Sequence, residues 1–217
     1  MNYTTLVFDL DGTLIDPALG AVRCMNYALT TLDYMARPEH EITALIGPPL
    51  EYALQTLSGE DDEAKIQKLV DAYRERYGEF GISENTVYPG IPELLKNLKG
   101  RGISLGVCTS KLDINAVKIL ERFELIEYFD FISGASGATF KERKADQLAA
   151  LLSSGAIDTN ALMIGDRAID IEAAAENHLQ GCGVLWGYGE RDELEKAEPA
   201  LLISEPAELI SALKLLS

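Results

Sequence analysis

Residues 6–14 read LVFDLDGTL, an apolar run broken by two aspartates one residue apart, Asp9 and Asp11, and closed by Gly12 and Thr13. The short run from Leu6 to Leu10, bounded by turn residues, suits a fully buried parallel strand. On an extended segment, carboxylates at i and i+2 project to the same side, so their repulsion has to be offset by a cation or by a shared proton. A strand that ends this way calls for oxygen-loving chemistry at its carboxyl end, and the rest of the chain decides what surrounds it.

Strand patterns then vanish until residue 84. Asp16 is placed to cap a helix with Pro17 at its first position, and AVRCMNYALTTL sets Val22, Met25, Leu29 and Leu32 at helical spacing. Further helices are expected at EHEITALIG, ended by Gly47, at PLEYALQTLSG, ended near Gly59, and at DEAKIQKLVDAYRERYG, ended by Gly78. After VYPGIPELLKNLKGRG, helices alternate with short apolar strands: ISLGVCTS, INAVKILERF, FDFISG, KADQLAALLSS, ALMIGD, IDIEAAAEN, GCGVLW, LLIS and AELISALKLL. Such alternation argues for right-handed crossovers and a parallel sheet covered on both faces. The reading is an α/β core, residues 1–15 and 85–217, interrupted by an all-helical insert, residues 16–84, with Pro17 and GISENTVYPG as linkers.

At 217 residues the chain is long enough for one sizeable core, or for a core carrying a smaller insert. Its 35 acidic against 19 basic residues give a formal net charge of −16, which repels nucleic-acid backbones and anionic membrane surfaces. An anionic small substrate then needs a metal ion or locally placed Lys and Arg at its site. Cys24, Cys108 and Cys182 form no CxxC pair and suggest neither a disulfide framework nor a zinc site. MNYTTLVFDL carries no basic stretch ahead of its apolar run, and no segment is as long as a membrane span. A cytoplasmic monomer or homodimer is expected, with no nucleic-acid or membrane partner.

In an open parallel sheet, ligands bind outside the carboxyl ends of the strands where strand order reverses. Asp9 and Asp11 end the first strand, Thr109 and Ser110 the next, and Asp166 the strand ALMIGD. Asp170 follows four residues later, so it can share a face with Asp166. Magnesium suits such a set because it takes oxygen ligands in octahedral geometry. Thr109, Ser110 and main-chain N–H groups opening the following helix offer donors to a phosphoryl group. Lys144 in KERKADQ adds a cation, with Lys141 and Arg143 as rivals, and Gly12 permits a close backbone turn. Taken singly, each element also fits a capped helix, a turn or a solvated face; together, each at a strand end of one sheet, they describe a phosphoryl-transfer site.

These residues resemble the haloacid dehalogenase superfamily. DLDGTL looks like its first motif, the Thr of VCTSK its second, the Lys of KERKADQ its third and GDRAID its fourth, and IGPPLEYAL, VYPGI, YFDFISG, MIGDR and GVLWGYG are similar to bacterial phosphoglycolate phosphatase-like proteins. The resemblance implies a Rossmann-like core with a helical cap. It implies Asp9 as nucleophile forming an aspartyl-phosphate, Asp11 as acid and base, and magnesium held by Asp9, the carbonyl of Asp11 and Asp166, with Asp170 and Gly12 in support. Thr109 and Ser110 would bind phosphoryl oxygens, and Lys144 would hold Asp9 and the phosphate. Arg23, Asn26 and Gly47-Pro48-Pro49 are cap candidates for substrate contact, and Arg167 and Lys111 for a second anionic group. The substrate implied is a small phosphorylated metabolite, 2-phosphoglycolate first, then nucleoside monophosphates, pyrophosphate or phosphotyrosine-like esters. A sugar phosphomutase and a phospho-accepting signalling module are the rivals. The chain departs from the family where Glu176, Asn177 and His178 stand in place of a common glycine; Asn177 can adopt the left-handed cap, so only the local geometry is open.

Overall fold

The computed structural model describes residues 3–136 and 143–215, and the chain divides into two compact units, Met1–Asp16 with Val87–Ser217, and Pro17–Thr86. In the first unit lie β1 (Thr5–Phe8), β2 (Ile15–Asp16) and, after the second unit, α5 (Ile91–Gly100), β4 (Ser104–Leu112), α6 (Asp113–Arg122) and β5 (Phe131–Ala135). There follow α7 (Lys144–Ser154), β6 (Ala161–Gly165), α8 (Ala168–Glu176), β7 (Gln180–Val184), α9 (Arg191–Lys196), β8 (Leu201–Ile203) and α10 (Glu208–Leu215). The second unit holds α1 (Ala18–Thr31), α2 (Glu39–Thr43), α3 (Leu50–Ser58) and α4 (Glu63–Glu79), and the two-residue strand β3 (Thr86–Val87) spans the return junction.

Six strands form one parallel sheet in the order β5-β4-β1-β6-β7-β8. Every residue of β1 and β6 is buried, which explains the unbroken apolar runs LVF and LMI: both faces are covered by helices. On one face Val7 and Met163 pack with Leu148 of α7 and Ala174 of α8. The chain builds outward from β1 to β4 and β5, then returns to lay β6 on the other side of β1. Strand order therefore reverses at β1, and the crevice expected there opens at the carboxyl ends of β4, β1 and β6. The α/β parallel-sheet reading holds.

Local details differ from the sequence reading at several helix ends. Asp16 does not cap α1, whose N-terminus has no side-chain cap; its carboxylate accepts from the Tyr188 hydroxyl instead. The helix expected to reach Gly47 stops at Thr43. Helix α4 runs past Gly78 to Glu79, because buried Tyr77, stacked on Tyr73 at 5.4 Å, holds its last turn in the core. Gly59 does end α3 in the left-handed conformation, as expected. At the end of α8 the left-handed residue is His178, φ 57, and not Asn177. The Asn177 amide is occupied in donating to the carbonyls of Ala145 and Ala173, both at 2.9 Å, which keeps that residue right-handed.

The helical unit has its own core, including Leu29, Ile42, Leu54, Leu69 and Val70. Beside it, Glu84 receives two hydrogen bonds from Arg76, at 2.8 and 3.0 Å, and one from Arg23 at 2.7 Å. These bonds, Arg76 foremost, hold the Glu84 carboxyl down at about 2 against the opposing effect of burial. A depressed carboxyl contributes stability that is fully present above its unfolded value and fades as pH falls toward the folded one. Glu84→Gln is therefore expected to cost about 1–2 kcal/mol in urea unfolding at pH 7. The gap between variant and wild type should close between roughly pH 4 and pH 2; a gap that does not change over that range contradicts the assignment. No helix among the described residues is long and apolar enough to cross a membrane.

Candidate active site

Asp9 follows the last residue of β1, and its main-chain N–H donates to Ile164 O of β6 at 2.8 Å, so the strand pairing itself delivers the carboxylate to the sheet edge. The side chain is buried. Its Oδ1 accepts from Leu10 N at 2.7 Å, and its Oδ2 lies 3.0 Å from Lys144 Nζ. Asp166 directly follows β6, and Asp170 sits in the first turn of α8, where its Oδ2 accepts from Arg167 N at 3.0 Å. Carboxylate oxygens of Asp9, Asp166 and Asp170 all lie within 4.8 Å of one another, and all three residues are buried.

Lys144, the first residue of α7, bridges this cluster. It is 4% exposed, and its ammonium contacts both Asp9 and Asp170. Burial disfavours that charge, but the two carboxylates outweigh it and hold the group above its ordinary value. Lys141, the rival lysine, lies outside the described residues. Among the described residues, three carboxylates against one ammonium leave two negative charges uncompensated in a buried place. The consequences appear in the proton affinities. Burial pushes Asp166 well up, with the charges of Asp170 and Asp9 adding to it, and burial pushes Asp170 up to about 6 against the pull of Lys144.

The turn after β1 is shaped to reach this cluster. Gly12 has φ 82, and a Cβ there would stand 2.2 Å from Asp166 Oδ2, so only glycine fits. Thr13 is fully buried, and its hydroxyl donates to Asp166 Oδ1 at 3.3 Å. Asp11 belongs to a different pairing: its Oδ2 lies 2.7 Å from Lys111 Nζ, and its carboxylate is not among the three clustered ones. Its other oxygen, Oδ1, is buried with no hydrogen-bond partner among the described residues. Burial raises the Asp11 carboxyl, and Lys111 opposes it.

Thr109 lies on β4, where Phe8 pairs with Val107, so it stands level with Leu10 at the same edge. Its side chain is buried, and its hydroxyl accepts from Lys111 N at 3.2 Å, leaving its own proton free to be donated. Ser110 follows, half-buried. The strand continues through a register shift to Leu112, two residues past the end of ISLGVCTS, and α6 opens at Asp113, one residue ahead of the expected INAVKILERF. Cys108 is a core residue whose thiol burial pushes up to about 12, in keeping with a structural role.

The family model for haloacid dehalogenase-like hydrolases matches residues 6–184, from the strand that carries Asp9 to the end of β7. The chain belongs to this family. Among its relatives in the haloacid dehalogenase-like family, a protein of Pseudomonas aeruginosa named 5'-nucleotidase is 38% identical, covering 99% of this chain and 97% of its own length. A phosphoglycolate phosphatase of Agrobacterium fabrum is 34% identical over 95% of this chain and 91% of its own. The crystal structure of a "predicted phosphatase" from Clostridium acetobutylicum superposes with a TM-score of 0.92 at 35% identity, covering 100% of this chain and 99% of that one.

The residues of this haloacid dehalogenase-like hydrolase fit a divalent cation. An all-oxygen donor set with an excess of two negative charges is what a hard, doubly charged ion neutralises. Asp9, Asp166 and Asp170 are the side chains brought together; Asp11 could join through its main-chain carbonyl only, since its carboxylate is engaged elsewhere. Arg167 and Lys111, read in the sequence as candidates for a second anionic group, both serve the protein's own carboxylates: Arg167 Nε donates to Glu193 at 2.9 Å, and Lys111 pairs with Asp11. Arg23 pairs with Glu84 and Asn26 holds the backbone of Arg37. Sequence reasoning missed the Lys111–Asp11 pair and the contact of Thr13 with Asp166, because both join residues far apart in the chain.

Proposed function

We propose that the protein is a magnesium-dependent phosphate-monoester phosphatase working through an aspartyl-phosphate on Asp9. The observation that carries this reading is the buried cluster of Asp9, Asp166 and Asp170 with the Lys144 ammonium bridging Asp9 and Asp170. Magnesium, when bound by Asp9, the Asp11 carbonyl and Asp166, with Asp170 in support, would neutralise phosphoryl oxygens and the crowded carboxylates. Asp9 attacks phosphorus in line; the new Asp–O–P bond forms as the bond from phosphorus to the ester oxygen breaks. Asp11 gives its proton to the departing oxygen. Its Oδ1, buried and without a hydrogen-bond partner among the described residues, is the atom suited to that transfer. Asp11 then takes a proton from the water that attacks the aspartyl-phosphate, releasing inorganic phosphate and restoring Asp9.

Thr109 and Ser110 donate to phosphoryl oxygens, and Lys144 keeps Asp9 oriented and offsets charge on the transferring group. The helical unit, residues 17–86, takes the role of cap, the part on which substrate choice rests. For the substrate, 2-phosphoglycolate is the first reading, supported by the likeness to the Agrobacterium phosphatase. Nucleoside 5'-monophosphates are the second, favoured by the 38% identical relative and by the prior engagement of Arg167 and Lys111, which leaves the substrate's carboxylate without its expected partners.

A panel of phosphate esters assayed with magnesium and ranked by kcat/KM tests the reading. Release of inorganic phosphate is expected from at least one member at about 10⁴ M⁻¹s⁻¹ or more, with loss of all turnover on chelation by EDTA. Isomerisation of a sugar phosphate without net phosphate release would instead establish a mutase, and turnover that survives EDTA would remove the cation from the account.

A further inference from the structure

The segment LWGYG, residues 185–189, follows β7 and has no part in the phosphoryl transfer, yet it holds one of the clustered carboxylates closely. The main-chain N–H of Tyr188 donates to Asp166 Oδ2 at 2.8 Å, complementing the Thr13 hydroxyl on Oδ1. The Tyr188 side chain reaches in another direction, where its hydroxyl donates to Asp16 Oδ1 with the Tyr88 hydroxyl beside it. Trp186 Nε1 donates to Thr13 O at 2.9 Å. Between these anchors the backbone lies against the site with no room for side chains. A Cβ on Gly187 would stand 2.3 Å from Gly12 O and 2.4 Å from Asp166 Oδ2, and one on Gly189 would stand 1.9 Å from Asp166 O.

Glycines on both sides of Tyr188 give this backbone more conformational freedom than any other residue pair would. The N–H that fixes Asp166 is therefore only as well placed as its neighbouring anchors make it. Burial, and then the bond to Asp16, hold the Tyr188 hydroxyl well above its ordinary value, so it remains a protonated donor. Asp16 is also the last residue of the α/β unit before the chain passes into the helical unit, and Val87, next to Tyr88, is the first on its return.

We propose that Tyr188 is a positioning residue: its hydroxyl, anchored on Asp16, fixes the main-chain N–H that orients Asp166, so the cation-holding carboxylate is set from the junction between the two units. The inference rests on the reading of Asp9, Asp166 and Asp170 as a cation site. Partners that orient metal ligands without touching the metal commonly change metal affinity by 10–100-fold.

The test is Mn²⁺ binding to the metal-free full-length protein, followed by electron paramagnetic resonance of the free ion, with circular dichroism as the check on folding. Tyr188→Phe removes only the hydroxyl and should weaken Mn²⁺ on the order of tenfold. Asp16→Ala should weaken it equally, and the double variant should lose no more than either single one, as expected for one shared path. Equal Mn²⁺ affinity in wild type and Tyr188→Phe, or additive losses in the double variant, would overturn the positioning role while leaving the cation site standing. Absence of Mn²⁺ binding to the wild type would overturn the cation site and this inference with it. Should Tyr188→Phe fail to fold, Asp16→Ala decides alone, with a tenfold loss supporting the role and unchanged affinity ending it.

Discussion

Asp9→Asn should lower magnesium-dependent phosphate release by at least about 10⁴-fold while leaving the protein folded. The carboxamide matches the carboxylate in shape and can still accept from Leu10 N, which Asp9 now does at 2.7 Å. What disappears is the anionic oxygen that attacks phosphorus, and an amide has no equivalent nucleophile. The substitution also takes one charge from a buried group with two negative charges in excess. Without magnesium, the variant should therefore melt no lower than the wild type, because like charges in a buried site repel strongly. Turnover within about tenfold of the wild type would remove Asp9 from the nucleophile's role.

Lys144→Met should have the largest effect on stability. The Lys144 ammonium bridges Asp9 and Asp170, and removing it leaves three buried carboxylates with no bridging cation among the described residues. Removing one member of a buried pair costs about 3–5 kcal/mol, because the remaining charge keeps its desolvation penalty and loses its compensation. Urea unfolding without magnesium should show a loss of that size, and saturating magnesium should recover part of it by binding the folded state. Activity should fall by about 10²–10³-fold, the scale for losing one preorganised charge at a transferring group. A variant as stable as the wild type in the absence of magnesium would mean that the three carboxylates are not charged together in the fold.

Much of the α/β core is legible in the sequence because its strands are buried on both faces, and the runs LVF and ALMIG carry that burial openly. The polar residues that end those strands follow almost automatically, since parallel strands present their carboxyl ends to one edge. Partner choice at that edge is not legible. Lys111 pairs with Asp11 because β4 lies beside β1, a fact of strand order that local spacing does not contain. Asp16 looked like a helix cap because local rules favour it, yet it is bound by a tyrosine 172 positions away. Asn177 looked like the left-handed residue at the end of α8, but its amide tethers α7 through Ala145, and His178 takes that conformation instead. In each case a long-range hydrogen bond outweighed a local preference worth about 1 kcal/mol.

The most direct test of the central claim is to acid-quench a single turnover and locate the phosphoryl group by peptide mass spectrometry. Asp11→Asn with an aryl phosphate is the combination to use, because that leaving group departs without a proton from Asp11 while the lost base lets the intermediate accumulate. The account predicts a phosphorylated peptide whose modification maps to Asp9. Phosphate release with no modified residue, or with the phosphoryl group on a side chain other than Asp9, would contradict it.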